Sequence, residues 1–220
     1  MWYNDLGDIM RLRNVPGARK KIDNSKYIIN NYKEYKGKYN TVFSNDNPIC
    51  IEIGTGKGKF IKELALLNPN INYIGIEKYD SVLVRALEKV EEEDIPNLRY
   101  ISMDATEIEN AFEKEIDTIY LNFSDPWPKA RHTDRRLTSK RFLQRYDNLF
   151  KGVKHIIFKT DNRKLFEFSI MSFTEYGYKI ENIILDLYND DIKDNVATEY
   201  EEKFHNKGMP IYKIEVTKEK

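Results

Sequence analysis

The chain has 220 residues with 36 Lys+Arg against 36 Asp+Glu, so its formal charge of +0 excludes a globally basic or acidic protein and names no polyanionic partner. At 40% hydrophobic and 33% charged residues the composition excludes general disorder, and the length suits one domain with a sizeable core. A single cysteine, Cys50, excludes an intrachain disulfide and a cysteine-based zinc site. The opening MWYNDLGDIMRLRN lacks the apolar core of a signal peptide, and no apolar segment reaches membrane-spanning length. The expected location is cytoplasmic, with no membrane partner.

Residues 1–47 are rich in Tyr, Asn and Lys and read as a basic N-terminal arm with a short helix near 24–36. Charge is unevenly spread. Segment 11–21 carries Arg11, Arg13, Arg19, Lys20 and Lys21 with no acid, and 129–145 carries seven Lys/Arg against Asp134 alone. The compensating acids lie elsewhere, as in EKVEEED (88–94), so one basic face on a neutral body is expected. From 48 to 220 a single domain is expected. Apolar runs recur at 49–53, 72–76, 98–103, 116–123, 154–160, 179–187 and 210–217, with helix-period stretches such as 58–67 and 80–93 between them. This alternation predicts an α/β fold with a doubly wound, mostly parallel sheet of seven strands. The last two runs have no long helix between them and are expected to form an antiparallel pair at the sheet edge. Cys50, inside PICIEIG, is expected to be a buried, inert thiol.

ICIEIGTGKGKFIKEL (49–64) reads as a buried strand, a glycine turn and the start of an amphipathic helix. Gly54, Gly56 and Gly58 permit close approach of backbone N–H groups to a ligand, and the helix start adds a positive dipole end. The spacing is GxGxG rather than the GxGxxG of dinucleotide folds. Glu52, two residues before the first glycine, would repel a pyrophosphate but suits a ligand with sulfonium and ammonium groups. The next run ends at Glu77, placed to accept from two ribose hydroxyls, and the third ends at Asp104, able to receive an adenine amino proton. Acids at three successive strand tips resemble the S-adenosylmethionine site of the Rossmann-like methyltransferases.

The fourth run delivers NFSDPWPKARHTDRRL (122–137), where Asp125 reaches the carboxyl edge of the sheet and Pro126 and Pro128 stiffen the loop. Three roles are open to Trp127: packing on the cofactor, stacking on a base, or anchoring the loop in the core. EIGTGKGKFI, GIEKYD, NFSDPWPKARHTDRRL, FKTDN (158–162) and TEYEEKF (198–204) together resemble the bacterial tRNA (guanine-N7-)-methyltransferase family, from about residue 48 to the C-terminus. MRLRN in the arm agrees more weakly. The resemblance implies methyl transfer from S-adenosylmethionine to guanine N7 in the tRNA variable loop, at position forty-six. Its position makes Asp125 the candidate catalytic carboxylate, through contact with the base or with the cofactor's amino group, and the resemblance further implies a substrate pocket of Lys129, Asp161, Thr198, Glu199, Tyr200 and Glu201. Asp161 and Glu199 are both candidates for reading the guanine. Arg131, His132, Arg135 and Arg136 would hold the RNA backbone, and Arg11 and Arg13 could reach it from the arm.

His132, His155 and His205 are scattered and poorly accompanied, so no metal is expected, and His155 reads as structural. A monomer or a homodimer is compatible with the sequence. The competing readings are a nicotinamide-dependent oxidoreductase, disfavoured by GxGxG with Glu52, a non-catalytic RNA-binding module, and a methyltransferase acting on exocyclic amines.

Overall fold

A computed structural model describes residues 15–189 and 195–219. Arg11 and Arg13 lie outside the described residues. Seven strands, β1 (Ile49–Ile53), β2 (Asn72–Glu77), β3 (Leu98–Ser102), β4 (Ile116–Asn122), β5 (Phe150–Thr160), β6 (Lys179–Ile184) and β7 (Tyr212–Lys218), form one sheet in the order β3-β2-β1-β4-β5-β7-β6. The first five are parallel, and β7 runs antiparallel to both β5 and β6. The expected antiparallel pair at the edge is present, with β7 inserted one place in from the end. Strand order reverses between β1 and β4, and such a switch point opens a crevice at the carboxyl ends of the strands.

Every residue of β1 and β2 is buried, as expected where helices cover both faces of a parallel sheet. Alternation along β1 divides the core. Ile49, Ile51 and Ile53 join one cluster with Ile119, Leu121, Phe142, Phe158 and Phe166, while Cys50 joins the other with Tyr73, Leu83 and Tyr100. The Cys50 thiol is buried, and that burial pushes its pKa up to about 12, which makes it inert. The helices are α1 (Ala18–Asn24), α2 (Asn40–Phe43), α3 (Lys59–Leu67), α4 (Asp80–Glu88), α5 (Lys140–Tyr146), α6 (Arg163–Glu175) and α7 (Glu199–His205).

Of the short helix expected near 24–36, a 3₁₀ turn at Tyr32–Tyr35 forms and the rest does not. Instead α1 ends at Asn24, and residues 27–29 run extended beside β3, with the Tyr100 N–H donating to the Tyr27 carbonyl (2.7 Å) and the Ile29 N–H donating to that of Tyr100 (2.9 Å). A sheet edge offers unpaired backbone groups, and here the chain's own N-terminal segment satisfies them. Ala18, Ile22, Tyr27, Ile29, Tyr39 and Phe43 are core residues, so the described part of the arm packs against the sheet.

Gly75 shows how tightly the strands are packed beneath the glycine turn. A Cβ there would lie 2.6 Å from Cδ1 of Tyr100 and 3.1 Å from Cγ2 of Thr55. Gly75→Ala is therefore expected to destabilise the protein by about 1–3 kcal/mol through overpacking. Thermal unfolding checks this, and an unchanged midpoint would contradict it.

Candidate active site

The first four strands carry their polar tips to one edge of the sheet. After β1 the chain turns through Gly54 (φ 82°) and Gly56 (φ 59°), left-handed conformations that favour glycine. A methyl group built on either would stand in open space, so the turn presents bare backbone to the crevice. Gly58 differs: a Cβ there would approach Ala86 and the Tyr100 hydroxyl to 2.8 Å, so this glycine lets α3 start close against α4 and β3.

Glu52 is 1% exposed and lies behind the turn. Its carboxylate accepts from the Thr55 hydroxyl (2.6 Å) and from Nδ2 of Asn122 (2.8 Å). Burial pushes its pKa up to about 7, against the opposing pull of those two donors and of Lys159. Glu77 binds backbone, accepting from the N–H groups of Gly56 (3.1 Å), Lys78 (2.8 Å) and Tyr79 (2.9 Å). Burial raises its pKa, the three N–H donors oppose the rise, and the charge of Asp125 adds to it. Asp104 caps the turn Ala105–Asn110 through the Thr106 N–H (2.9 Å) and hydroxyl (2.8 Å), and pairs with Lys78 (2.6 Å). Burial acts to raise its pKa, but the Lys78 ammonium and Thr106 outweigh that and hold it at about 2.

Asp125 is exposed at the tip of β4, and among the described residues no side chain pairs with it. Its loop is held in an unusual shape, with Phe123 (φ 50°) and Trp127 (φ 41°) both left-handed. Arg136 braces this shape, its Nε donating to the Pro126 carbonyl (2.9 Å) and its Nη2 to that of Trp127 (3.2 Å). The guanidinium also lies 4.3 Å from the Phe168 ring centroid, so Arg136 is committed to the loop. Trp127 is half-buried and belongs to no core cluster, which removes the core-anchor role. It stacks on His132 (centroids 5.8 Å apart, 9° between planes) and carries the Arg135 guanidinium 4.9 Å from its ring. Lys129, Arg131 and Arg135 are exposed around it, and Arg131 Nε donates to His132 Nε2 (2.9 Å).

The TEYE stretch begins α7. Thr198 is its N-cap, accepting from the Glu201 N–H at 2.9 Å. Each acid that follows takes a lysine from a different element: Glu199 pairs with Lys89 at the end of α4, Glu201 with Lys159 at the tip of β5 (2.6 Å), and Glu202 with Lys59 in the first turn of α3. Glu201 is 0% exposed, so this residue expected in the substrate pocket lies beneath it. Tyr200 is 45% exposed and faces Phe123 with ring centroids 6.3 Å apart. Asp161, following β5, is half-buried and its pKa is raised by burial.

Sequence reasoning missed Thr55, Asn122, Ser124, Lys78 and Lys159. Asn122 and Ser124 had a signal, since both adjoin Asp125 in the loop that carries the resemblance. Lys159 sits within FKTDN, but nothing local marks a lysine in an apolar strand as buried. Asn122 Oδ1 and Ser124 Oγ are buried without a hydrogen-bond partner among the described residues. Orphaned acceptors at the β4 tip, together with the open backbone at Gly54 and Gly56, fit a polar ligand laid across the switch point. His155, whose Nδ1 meets Thr118 (2.9 Å) and Nε2 meets Glu215 (2.8 Å), is knitted into the sheet. Among the described residues no cluster of His, Cys, Asp and Glu could hold a metal ion, and no helix is long and apolar enough to cross a membrane.

A seven-stranded sheet of this order, a GxGxG turn after β1 and acids at the tips of β1 to β4 define a Rossmann-like, S-adenosylmethionine-dependent methyltransferase. A solved structure described as an antibiotic related methyltransferase shares this fold with a TM-score of 0.65 at 16% identity, over 84% of this chain and 94% of that one. The family profile described as "Putative methyltransferase" matches residues 46–214. The tRNA (guanine-N(7)-)-methyltransferase of Geobacillus sp. (strain WCH70) is 56% identical over 209 residues, covering 94% of this chain and 95% of the relative. The protein of that name from Listeria monocytogenes (strain EGD-e) is 53% identical over 208 residues, covering 94% and 97%. The chain belongs to the tRNA (guanine-N(7)-)-methyltransferase family.

Proposed function

We propose that the protein methylates N7 of a guanine in the tRNA variable loop, at position forty-six, with S-adenosylmethionine as donor. The observation that carries this reading is the SDPWPKARHTDRR loop, seated at the switch point next to the glycine turn. The donor supplies a methyl group on a sulfonium that becomes neutral on transfer. The backbone of Gly54 and Gly56, with Glu52, Glu77 and Asp104, would hold the donor's cationic, ribose and adenine portions.

Guanine N7 has an in-plane lone pair and no proton, so the protein needs no general base there. Its work is alignment, and stabilisation of the positive charge that the purine gains. Asp125, exposed beside the crevice and unpaired among the described residues, supplies that stabilisation. Asp161 reads the guanine by accepting from N1–H and the exocyclic amino group together. Glu199 and Glu201 already hold lysines, whereas Asp161 holds none among the described residues, and this favours Asp161. Lys129, Thr198 and Tyr200 complete the substrate pocket in this reading, which the approach of Tyr200 to Phe123 supports (ring centroids 6.3 Å apart). Arg131, His132 and Arg135 contact RNA phosphates, while Arg136 keeps Trp127 and Asp125 in place.

Purified protein incubated with labelled S-adenosylmethionine and unmodified tRNA is expected to yield 7-methylguanosine on nucleoside analysis. An amino-methylated base, or no product, would overturn the reading. Phosphate contacts release counterions, so tRNA affinity is expected to fall steeply with salt. Arg135→Ala should weaken binding and lower the salt slope by about 1. A parental slope in that variant would remove Arg135 from the RNA interface.

A further inference from the structure

A row of buried polar groups crosses the carboxyl edge of the sheet, from the glycine turn to α7. The Thr55 hydroxyl and the Asn122 amide both donate to Glu52. Asn122 and Lys159 are cross-strand partners in the β4–β5 register. The Lys159 ammonium then donates to the Glu201 carboxylate (2.6 Å), the Val196 carbonyl (2.9 Å) and the Asn195 side-chain oxygen (3.2 Å). Three acceptors use all three of its N–H donors. All come from one short segment, 36 to 42 residues further along the chain. Lys159 is 2% exposed and Glu201 0%. Asn195 and the Tyr188 hydroxyl donate to the same Glu201 carboxylate.

A buried ion pair is weak evidence for stability, because an apolar pair of similar volume holds a fold as well or better. What the ammonium adds is placement. It draws residues 195–201 onto the tip of β5, one strand from Asn122 on β4 and two from Glu52 on β1. Burial lowers the pKa of Lys159 and the Glu201 carboxylate opposes that fall, as expected of an ammonium kept charged by its partner.

We propose that Lys159 is a positioning residue: through Glu201 and the Val196 carbonyl it fixes the 195–201 segment beside the donor turn, and so sets where tRNA meets the donor. Lys159 touches neither donor nor tRNA. The proposal rests on the tRNA methyltransferase reading, with Thr198 and Tyr200 on the substrate side.

The test compares Lys159→Met, Glu201→Met and the double variant in the full chain. It reads donor affinity by calorimetry, KM and kcat with tRNA, and amide exchange across residues 195–206. Each single variant is expected to lose roughly 100-fold in kcat/KM for tRNA, the scale of an ångström-level misplacement. The two losses should not add, because the residues act as one unit. Donor affinity should stay within about threefold of the parent, a small change in binding free energy. Exchange should quicken in 195–206 and not in β1 or β2. The double variant should regain thermal stability, having no lone buried charge, yet not regain turnover. Parental kcat/KM in the double variant would overturn the proposal. So would quickened exchange throughout the chain with donor affinity lost, which would make Lys159 a residue of the fold alone. A parent that binds donor but methylates no tRNA, with exchange still changed only in 195–206, would locate the failure in the substrate reading rather than in Lys159.

Discussion

Asp125→Asn is expected to lower the single-turnover rate of tRNA methylation roughly 100-fold or more at saturating donor and tRNA, the scale found when one preorganised electrostatic partner of a transition state is removed. Asparagine keeps the side-chain shape, so the loss reports the charge. The surrounding loop makes that charge effective. Phe123 and Trp127 sit at left-handed φ values that cost on the order of 1–3 kcal/mol each and persist only where neighbours impose them. At Trp127 that neighbour is Arg136, bonded to two successive carbonyls and packed on Phe168, and at Phe123 it is β5, whose Lys159 carbonyl accepts from the Phe123 N–H. A carboxylate on a braced loop needs little rearrangement as the purine becomes cationic. Near-parental turnover in Asp125→Asn would end its assignment as the charge-stabilising group.

Glu52→Gln is expected to do two opposite things. The Glu52 carboxyl is raised by burial from 4.5 to about 7, so the native state holds a proton that the unfolded chain has released. Between those values stability falls as pH rises. Glu52's favourable contribution is present below about pH 4.5 and is lost as pH passes through about 7, a cost of about 3 kcal/mol for a shift of this size in a fully buried group. Glutamine removes that cost. Its oxygen can accept from Thr55, and its amide can donate to Asn122 Oδ1 once the Asn122 side-chain amide turns over, since Nδ2 faces Glu52 in the parent. Glu52→Gln should therefore melt several degrees higher than the parent at pH 8 and show no gain at pH 5. At the same time its affinity for S-adenosylmethionine, by calorimetry at pH 8, should fall roughly tenfold or more, because a hydrogen bond to a charged acceptor is exchanged for a neutral one. Equal melting points at pH 8 would remove the burial penalty, and parental donor affinity would remove the electrostatic role.

Much of this was legible in the residue order. Strand period, the GxGxG turn and the next strand-end acids are local patterns, and each falls at the tip of the strand that was expected. The glycines divide in a way that spacing does not reveal: Gly54 and Gly56 open onto the crevice, whereas Gly58 serves packing between α3, Ala86 and Tyr100. Asp104 serves both as the expected strand-end acid and as a cap, held by Lys78 and Thr106. Arg136 belonged to a run of cations, and only its carbonyl partners separate it from Arg131 and Arg135.

The sequence by itself determined the alternation of strands and helices, the polar tips of β1 to β4, and the loop motif that identifies the family, because each is written in residues near one another along the chain. Tertiary structure decided which tips meet. It put Asn122 against Glu52, ran residues 27–29 along β3, set β7 between β5 and β6, and matched Glu199, Glu201 and Glu202 with lysines from three elements. Strand register and burial settle those pairings, and both depend on distant parts of the chain packing at once. The charge state of Glu52 and the buried contacts of Lys159 follow from that packing.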